Sequence, residues 1–378
     1  MRIVVTGLSG NLGTALLRRL AADGRTGAQH EIVGVVRRPP EGGEPYHLAR
    51  WVALDLADDQ AQTRLWETFQ GADAVVHLAW DFQPSHDTDY LHTVGVGGTR
   101  AVLAAADAAG VKQLLHVSSL GAYSPGPDPA DPESTSTDVR VDESWPTEGI
   151  PSLAYSREKV AAERLLDDYE AAAAGVSSSR DGGEPMVVTR LRPALVVQAD
   201  AGSAIARYGL PSWLPSSVVS LVKLLPVDRR LVIQAVHSDD VADAIVRVLE
   251  RRAGGAFNLA AEPPLTREAI ADVLGARAVH LPEPVLRTAT ALTWHAHLQP
   301  LDPGWLDLAF AVPLLDTGRA RRELGWEPRV SATDALAQLV EGMRRAQGTH
   351  SPVLRPRSVV ENLGRLVSRG PVGYRRHP

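Results

Sequence analysis

Two residues four positions apart, Tyr155 and Lys159, form a pair that could carry out acid–base chemistry. On a helix this spacing places both side chains on one face. An isolated tyrosine has a pKa of about 10, and a neighbouring ammonium lowers that pKa because it favours the phenolate. Such a pair can exchange a proton with a carbinol oxygen during hydride transfer. Ser118 and Ser119 follow an apolar run predicted to be a strand, at the edge where open α/β sheets bind ligands.

A glycine-rich segment near the amino terminus could hold a dinucleotide. Gly7, Gly10 and Gly13 stand between an apolar strand and a helix, which is the context that the dinucleotide-binding fingerprint requires. The first glycine would make the tight turn, the second would admit a pyrophosphate at the helix N-terminus, and the third would allow close packing. The predicted cofactor contacts in this turn are Gly7, Ser9, Gly10, Asn11, Leu12 and Gly13.

The end of the second predicted strand indicates which dinucleotide is bound. An acidic residue there would bond the ribose 2′-hydroxyl, whereas a basic one would accept a 2′-phosphate. The strand ends in Arg37 and Arg38, so NADP(H) is favoured over NAD(H). The alternative is that both arginines are solvated surface charges. Asp55 and Leu56, after the third strand, could close the adenine pocket.

Short apolar runs alternate with alanine- and leucine-rich helical patterns over the first two-thirds of the chain. This alternation predicts an α/β fold, a Rossmann-type doubly wound parallel sheet with helices on both faces. The predicted strands are Arg2–Thr6, Glu31–Val36, Trp51–Leu54, Ala74–Leu78, Gln113–Ser118, Met186–Leu191 and Ala256–Ala260. The predicted helices are Asn11–Ala22, Gln60–Gln70, Thr88–Ala109, Ser152–Ala174, Pro211–Pro226, Asp239–Arg252 and Thr317–Leu324.

Three regions follow from this pattern. Residues 1–195 are predicted to form the cofactor-binding domain, with a loop insertion at 124–151. Residues 196–345 are predicted to form mainly a smaller α+β substrate-binding domain, with segments such as 230–260 returning to the first domain. The tail 346–378 is basic, and it is either mobile or an arm that docks on an acidic surface.

Composition excludes several kinds of site. The 378 residues carry a net charge of −6 and include no cysteine. Disulfides, thiolate nucleophiles and zinc–cysteine sites are therefore excluded, and no nucleic-acid partner is expected. The apolar runs are too short to span a bilayer, so a cytoplasmic protein is expected. His295 and His297 lack a carboxylate at ligand spacing, and no metal site is predicted.

Several motifs together resemble the extended short-chain dehydrogenase/reductases, and more specifically their NAD(P)-dependent epimerase/dehydratase family. The motifs are TGLSGNLG (6–13), HLAW (77–80), VSSLGAY (117–123), YSREK (155–159), LRPALVV (191–197), VHSDDVADAI (236–245), FNLA (257–260) and DTGRARRELGWEP (316–328). The resemblance implies Tyr155 as the acid–base, Lys159 as its partner on the nicotinamide ribose, and Ser119 on the substrate oxygen. It also implies a homodimer and cofactor contacts from His77, Leu78, Ala79, Val117 and Pro193.

The sequence departs from this family at three positions. Gly95 replaces an asparagine that supports the family's proton relay. Leu120 and Gly121 replace the Asp-Glu pair that sugar dehydratases use, so water elimination is disfavoured. Arg192 begins a segment in which galactose-type epimerases carry an asparagine for the diphosphate, which weakens the case for a nucleotide-sugar substrate.

Three aromatic residues, Trp80, Phe82 and Tyr123, lie beside the predicted site loops. They would line a largely apolar substrate pocket, or they pack in the interior. The leading hypothesis is an NADP(H)-dependent oxidoreductase acting on a secondary alcohol or ketone. The first alternative is an epimerase with tightly bound cofactor, acting on a sugar nucleotide. The second is a cofactor-sensing protein without turnover.

Overall fold

A parallel sheet of seven strands forms the centre of the protein in the computed structural model. The structure describes residues 1–25, 30–81, 88–126, 139–176, 184–209, 215–296, 298–299 and 301–356. The described strands are β1 Arg2–Thr6, β2 Glu31–Val36, β3 Arg50–Ala53, β4 Ala74–His77, β5 Gln113–Val117, β6 Arg140–Val141, β7 Val187–Pro193, β8 Leu195–Val197, β9 Leu224–Val227, β10 Val232–Ile233, β11 Ala235–His237, β12 Gly255–Leu259, β13 Leu265–Thr266, β14 Arg277–His280 and β15 Leu314–Leu315.

The order of the central sheet is β12-β7-β5-β4-β1-β2-β3, and every neighbouring pair is parallel. The predicted Rossmann-type doubly wound sheet is thereby confirmed. The chain winds outward in one direction from β1 to β3 and in the other from β4 onward. The switch point therefore lies between β1 and β4, where open α/β sheets bind their ligands at the carboxyl ends of the strands.

Helices cover both faces of this sheet. The described helices are α1 Asn11–Arg25, α2 Ala61–Phe69, α3 Thr88–His92, α4 Gly98–Ala108, α5 Ala154–Val176, α6 Gly202–Gly209, α7 Ser238–Arg251, α8 Arg267–Leu274, α9 Glu283–His295, α10 Gly304–Ala311 and α11 Ala332–Arg344. Of these, α1 and α7 lie on one face of the sheet, and α2, α4 and α5 lie on the other. A π-helical turn, Thr93–Gly97, joins α3 to α4. The helix predicted over Thr88–Ala109 thus exists, with one wider turn inside it.

Apolar side chains form a separate core on each face of the sheet. On one face, Leu16 of α1 and Ile245 of α7 pack against strand residues such as Val5. On the other, Leu65 of α2 and Val102 of α4 pack in the same way. Because both faces are covered, the strands carry continuous apolar runs.

One predicted helix is wrong. The segment Pro211–Pro226 forms a short 3₁₀ turn at Ser216–Leu221 and then strand β9, while residues 210–214 lie outside the described part. Pro215 precedes the turn, and the β-branched Val218, Val219 and Val222 favour extended backbone over helix. The strand pairs with β14 in a small separate sheet.

Two helix ends are fixed by local residue chemistry. Thr266 caps α8 by accepting a hydrogen bond from the amide of Ala269, at 3.2 Å. Gly325 ends the last turn before α11 with a φ of +60°, a left-handed conformation that favours glycine. No helix within the described ranges is long and apolar enough to cross a membrane.

Candidate active site

The predicted acid–base pair occupies the first turns of α5. Tyr155 and Lys159 share one face of this helix, and the Lys159 Nζ lies 5.8 Å from the centre of the Tyr155 ring. Lys159 is only 3% exposed, and its Nζ donates a 3.0 Å hydrogen bond to the carbonyl oxygen of Val117 at the end of β5. Ser119, two residues further on, forms a side-chain hydrogen bond with the phenol of Tyr155. The structure therefore brings all three predicted catalytic residues together.

Burial has the largest effect on the pKa values of both Tyr155 and Lys159. It raises the pKa of Tyr155 to about 12, against the opposing effect of the Ser119 hydrogen bond. It lowers the pKa of Lys159 to about 7, while the carboxylates of Glu163 and Glu158 act in the opposite direction. Tyr155 is consequently a protonated phenol at neutral pH, and it can donate a proton to an oxygen on which negative charge develops.

Ser118 and Tyr123 take part in a buried network behind the site instead of facing it. The Ser118 hydroxyl donates to Glu163, which forms a buried ion pair with Arg192. The Tyr123 hydroxyl accepts a hydrogen bond from Arg192 and donates one to Asn258, at 2.9 and 2.7 Å. Tyr123 is fully buried, which agrees with the interior-packing alternative and not with a place in the pocket wall. Its role is to hold the ends of β5, β7 and β12 together.

The glycine-rich turn has the geometry of a phosphate cradle. Gly7 has a φ of +75°, and a Cβ there would lie 2.6 Å from the backbone nitrogen of Ala79, just beyond β4. A Cβ on Gly13 would lie 2.2 Å from the carbonyl oxygen of Leu8, so the third glycine allows packing against the turn itself and not against the sheet. No acidic side chain occupies the first turn of α1, which leaves its N-terminus suited to an anion.

Asn11 connects the turn to the second half of the chain. Its side-chain amide donates a 3.1 Å hydrogen bond to the carbonyl oxygen of Val196. Its side-chain oxygen accepts hydrogen bonds from Gln198 and Ser238. Asn11 therefore fixes α1 against β8 and α7, and any contact with a cofactor would come from its backbone. Leu12 packs against the core beneath.

Arg37 lies at the carboxyl end of β2, at the expected end of the cofactor crevice. It is half-buried, and its guanidinium donates to the hydroxyl of Tyr90 and pairs with Asp81 at 3.7 Å. Arg38 is exposed. The Asp55 carboxylate accepts a hydrogen bond from the amide of Ala57 at 3.0 Å, which shapes the loop after β3. The Leu56 side chain packs against Gly98, where an added Cβ would lie 3.1 Å from it.

The histidines beneath the site are buried and uncharged. The imidazole of His77 bonds to the hydroxyls of Thr6 and Thr99 at 2.7 and 3.1 Å, and burial lowers its pKa to about 3. His116, its neighbour on β5, also has a pKa well below the usual value because it is buried. Contact with a cofactor here would therefore come from the backbone of residues 77–79. Pro193 ends β7 at the same edge. The described residues contain no group that could hold a metal ion.

Two tryptophans flank the Tyr155 ring. Trp80 meets it edge-to-face at 6.3 Å between ring centres, and Trp305 of α10 lies at 5.2 Å with the planes tilted by 33°. Sequence reasoning missed Trp305, although the apolar run after Pro303 was a signal for a helix. Phe82 lies outside the described residues.

The residues present fit a nicotinamide dinucleotide. The turn at Gly7 leaves no room for a side chain, the Arg37 guanidinium stands at the end of β2, and Lys159 lies at the far end of the crevice. The Trp80 Nε1 is buried without a hydrogen-bond partner among the residues that the structure describes. Among the described residues, the side-chain-free turn at Gly7 and the unpartnered Trp80 Nε1 are thus compatible with a bound dinucleotide.

The model of the NAD dependent epimerase/dehydratase family matches residues 3–260. A UDP-glucose 4-epimerase from Mycolicibacterium smegmatis is 31% identical over 91% of this chain and 99% of the relative. Uncharacterized proteins from Mycobacterium tuberculosis are 28% identical over 91% of this chain, which spans only 30% of their length. A Stigmatella aurantiaca quinoline-oxide ketoreductase is 25% identical over 92% of this chain and 98% of the relative. The family resemblance predicted from the motifs is confirmed.

Solved structures share this fold. A UDP-glucose 4-epimerase from Stenotrophomonas maltophila with bound NAD superposes with a TM-score of 0.64 at 21% identity, covering 91% of this chain and 98% of that one. DesIV, a dTDP-glucose 4,6-dehydratase from Streptomyces venezuelae, has a TM-score of 0.64 at 22% identity, covering 91% and 97%. At these identities the likeness concerns the fold alone.

Proposed function

The chain belongs to the NAD-dependent epimerase/dehydratase family, and we propose that it is an NADP(H)-dependent oxidoreductase acting on a secondary alcohol or ketone carbon. The observation that carries this proposal is the Ser119–Tyr155–Lys159 group at the carboxyl edge of the sheet. Its tyrosine is buried, protonated and bonded to the serine hydroxyl. This is the state required of an acid that protonates a carbonyl oxygen as a hydride arrives at its carbon.

Each residue has a separate task. The Ser119 hydroxyl holds the substrate oxygen, and the Tyr155 phenol gives that oxygen its proton in reduction or takes it back in oxidation. Lys159 binds the nicotinamide ribose, and its charge stabilises the phenolate that Tyr155 becomes. When bound, the dinucleotide supplies or accepts the hydride. The turn at Gly7 to Gly13 binds the pyrophosphate through backbone amides.

The preference for NADP(H) is supported by Arg37. Its guanidinium is held at the end of β2 by Tyr90, and a second arginine follows it in the sequence. A planar guanidinium binds phosphate oxygens through two parallel hydrogen bonds. The Asp81 carboxylate lies 3.7 Å from the Arg37 guanidinium and partly neutralises its charge. Asp81 therefore reduces the preference for NADP(H) over NAD(H) without abolishing it.

The walls of the site favour an apolar, ring-containing substrate. Trp80 and Trp305 flank Tyr155, and the Leu308 side chain reaches towards Gly121 beside it. The Arg192 guanidinium could anchor a diphosphate, but it is already paired with the carboxylate of Glu163. Flat aromatic side chains bind ring faces well and offer few hydrogen bonds to a sugar.

The test is a fluorescence titration of the purified chain with NADPH and NADH, followed by a panel of ketones. We expect tighter binding of NADPH and ketone-dependent oxidation of it. Tyr155→Phe should keep cofactor binding and lose turnover by about 10²- to 10⁴-fold. Tyr169→Phe, on the same helix but bonded to Asp107 far from the site, is the control. Failure to bind either dinucleotide, or full activity in Tyr155→Phe, would overturn the proposal.

An epimerase is the second candidate, and the Mycolicibacterium smegmatis relative favours it because the two chains align over nearly their whole lengths. Hydride would then leave and return at one carbon, so no NADPH would be consumed. Incubation with UDP-glucose distinguishes the two, since an epimerase produces its 4-epimer without any change in cofactor absorbance.

A further inference from the structure

The space beside Gly95 is filled by another residue. Gly95 lies in the π-helical turn Thr93–Gly97, where the family resemblance leads one to expect an asparagine. A Cβ on Gly95 would lie 3.0 and 3.1 Å from two ring carbons of Trp80. Real Cβ atoms are rarely so close to a neighbour, and the Trp80 indole is held between this turn and α5. Glycine at this position is therefore what admits the indole.

The face of the same indole covers the ammonium of Lys159. The Lys159 Nζ lies 3.5 Å from the ring centre of Trp80, and it also donates to the carbonyl oxygen of Val117 at 3.0 Å. An ammonium has three protons. One is directed to the carbonyl and one to the π face, which leaves the third for a cofactor hydroxyl. A cation over an aromatic face is stabilised most strongly where water is excluded, as it is here.

We propose that Trp80 is a positioning residue for Lys159: its indole face holds the ammonium where the family uses an asparagine-supported relay, and Gly95 makes room for it. This inference rests on the proposed function, because it concerns how the same lysine meets the same cofactor. It also explains why the loss of the asparagine and the presence of a large aromatic residue after β4 occur together in one chain.

The charges around Lys159 make such support necessary. Glu158 and Glu163 on α5 favour the charged lysine, whereas burial opposes it and outweighs them. His77 on β4 and His116 on β5 are neutral, and Tyr155 is a neutral phenol. With a pKa of about 7, Lys159 is close to half-protonated at neutral pH. Removal of the π face would shift the lysine towards its neutral form, which binds ribose hydroxyls and stabilises a phenolate less well.

The first experiment measures the NADPH dissociation constant from pH 6 to 9 in three proteins. Affinity should fall as pH rises through the pKa of Lys159. Trp80→Leu keeps an apolar side chain and removes the π face. Its NADPH affinity should therefore fall at a pH about 0.5 to 1 unit lower than in the parent. Trp80→Phe keeps an aromatic face and should stay within about 0.3 unit of the parent. A residue that only fills space would weaken binding at every pH without moving the midpoint.

The second experiment tests the fit between the two residues by thermal unfolding. Gly95→Ala should lower the midpoint in the parent protein and have no such effect in the Trp80→Leu background. Gly97→Ala is the matched control, because a Cβ there would meet atoms only at 3.9 and 4.0 Å in the same turn. Equal losses from Gly95→Ala in both backgrounds, or coincident pH midpoints in Trp80→Leu and Trp80→Phe, would overturn the inference. Absence of NADPH binding in the parent would overturn the proposed function instead.

Discussion

The Ser351 hydroxyl donates a 2.6 Å hydrogen bond to the carbonyl oxygen of Ser9, in the turn predicted to bind the pyrophosphate. Ser351 is fully buried, and nearby Thr349 bonds to the hydroxyl of Tyr46 at 2.7 Å. Tyr46 in turn meets Thr14 of α1 at 3.0 Å. Residues 349–351, near the start of the basic tail, therefore pack against the glycine-rich turn and Tyr46, while residues 357–378 lie outside the described part.

This contact predicts a binding defect in Ser351→Ala. A lost hydrogen bond of about 1 kcal/mol would weaken dinucleotide affinity by about 3- to 10-fold, because the turn is less firmly held. Turnover at saturating cofactor should stay unchanged. Calorimetric titration measures the effect, with Ser144→Ala as a control, since the Ser144 hydroxyl donates to Asp142 within an exposed loop. Unaltered affinity in Ser351→Ala would show that the turn does not need this support.

Neutralising Asp81 should sharpen cofactor choice. In Asp81→Asn the Arg37 guanidinium no longer faces a carboxylate at 3.7 Å. We expect NADPH affinity to rise by about 3- to 10-fold at low salt, with a smaller change for NADH, since only the former carries a 2′-phosphate. Arg37→Ala should have the opposite effect: it should lower NADPH affinity and change NADH affinity less. Asp89→Asn, an exposed acid on α3, is the control. A parallel change for both dinucleotides would contradict the assignment of Arg37.

The buried lysine predicts a pH-dependent cost in stability. The pKa of Lys159 is lowered in the folded state, from 10.5 to about 7, so the unfolded chain binds more protons between these values. The free energy of unfolding contributed by this group therefore increases as pH rises from about 7 to 10. Lys159→Met removes the charge and keeps the apolar stem.

We expect Lys159→Met to be more stable than the parent at pH 6, by on the order of 1–3 kcal/mol, and to lose this advantage near pH 10. Chemical unfolding at both pH values measures the difference. Lys112→Met, at an exposed position before β5, should change neither value. The same difference at both pH values would show that the effect comes from packing and not from the charge.

Trp305 should select substrates by shape. Its ring lies 5.2 Å from that of Tyr155, so its loss opens the wall of the site next to the reacting oxygen. In Trp305→Ala we expect KM for cyclic or aromatic ketones to rise by about 10-fold and KM for short linear ketones to change little. Trp66→Ala, at an exposed indole on α2, provides the comparison. Equal increases for both ketone classes would argue against a selective role.

The local residue pattern was enough to predict the strands and the glycine-rich turn at the start of the chain. The strand bounds of β1 and β2 agree with prediction, and the Gly7 turn follows because a positive φ and a close backbone approach leave only glycine. The Tyr155–Lys159 pair could be recognised because helical periodicity alone brings positions four apart to one face. The helix predicted over Pro211–Pro226 was wrong because an apolar composition without a helical or strand period does not distinguish a helix from a strand.

The sequence by itself determined the parallel sheet, the glycine-rich turn and the placement of Tyr155 and Lys159 on one helix face, because short-range periodicity and glycine stereochemistry encode them. Only the tertiary structure decided that Trp305 reaches Tyr155, that Tyr123 joins a buried network, and that Ser351 supports Ser9. It also decided that Trp80 occupies the space left by Gly95. These contacts join residues that are up to 342 positions apart. Their distances follow from how the elements pack, and no periodicity in the chain records that packing.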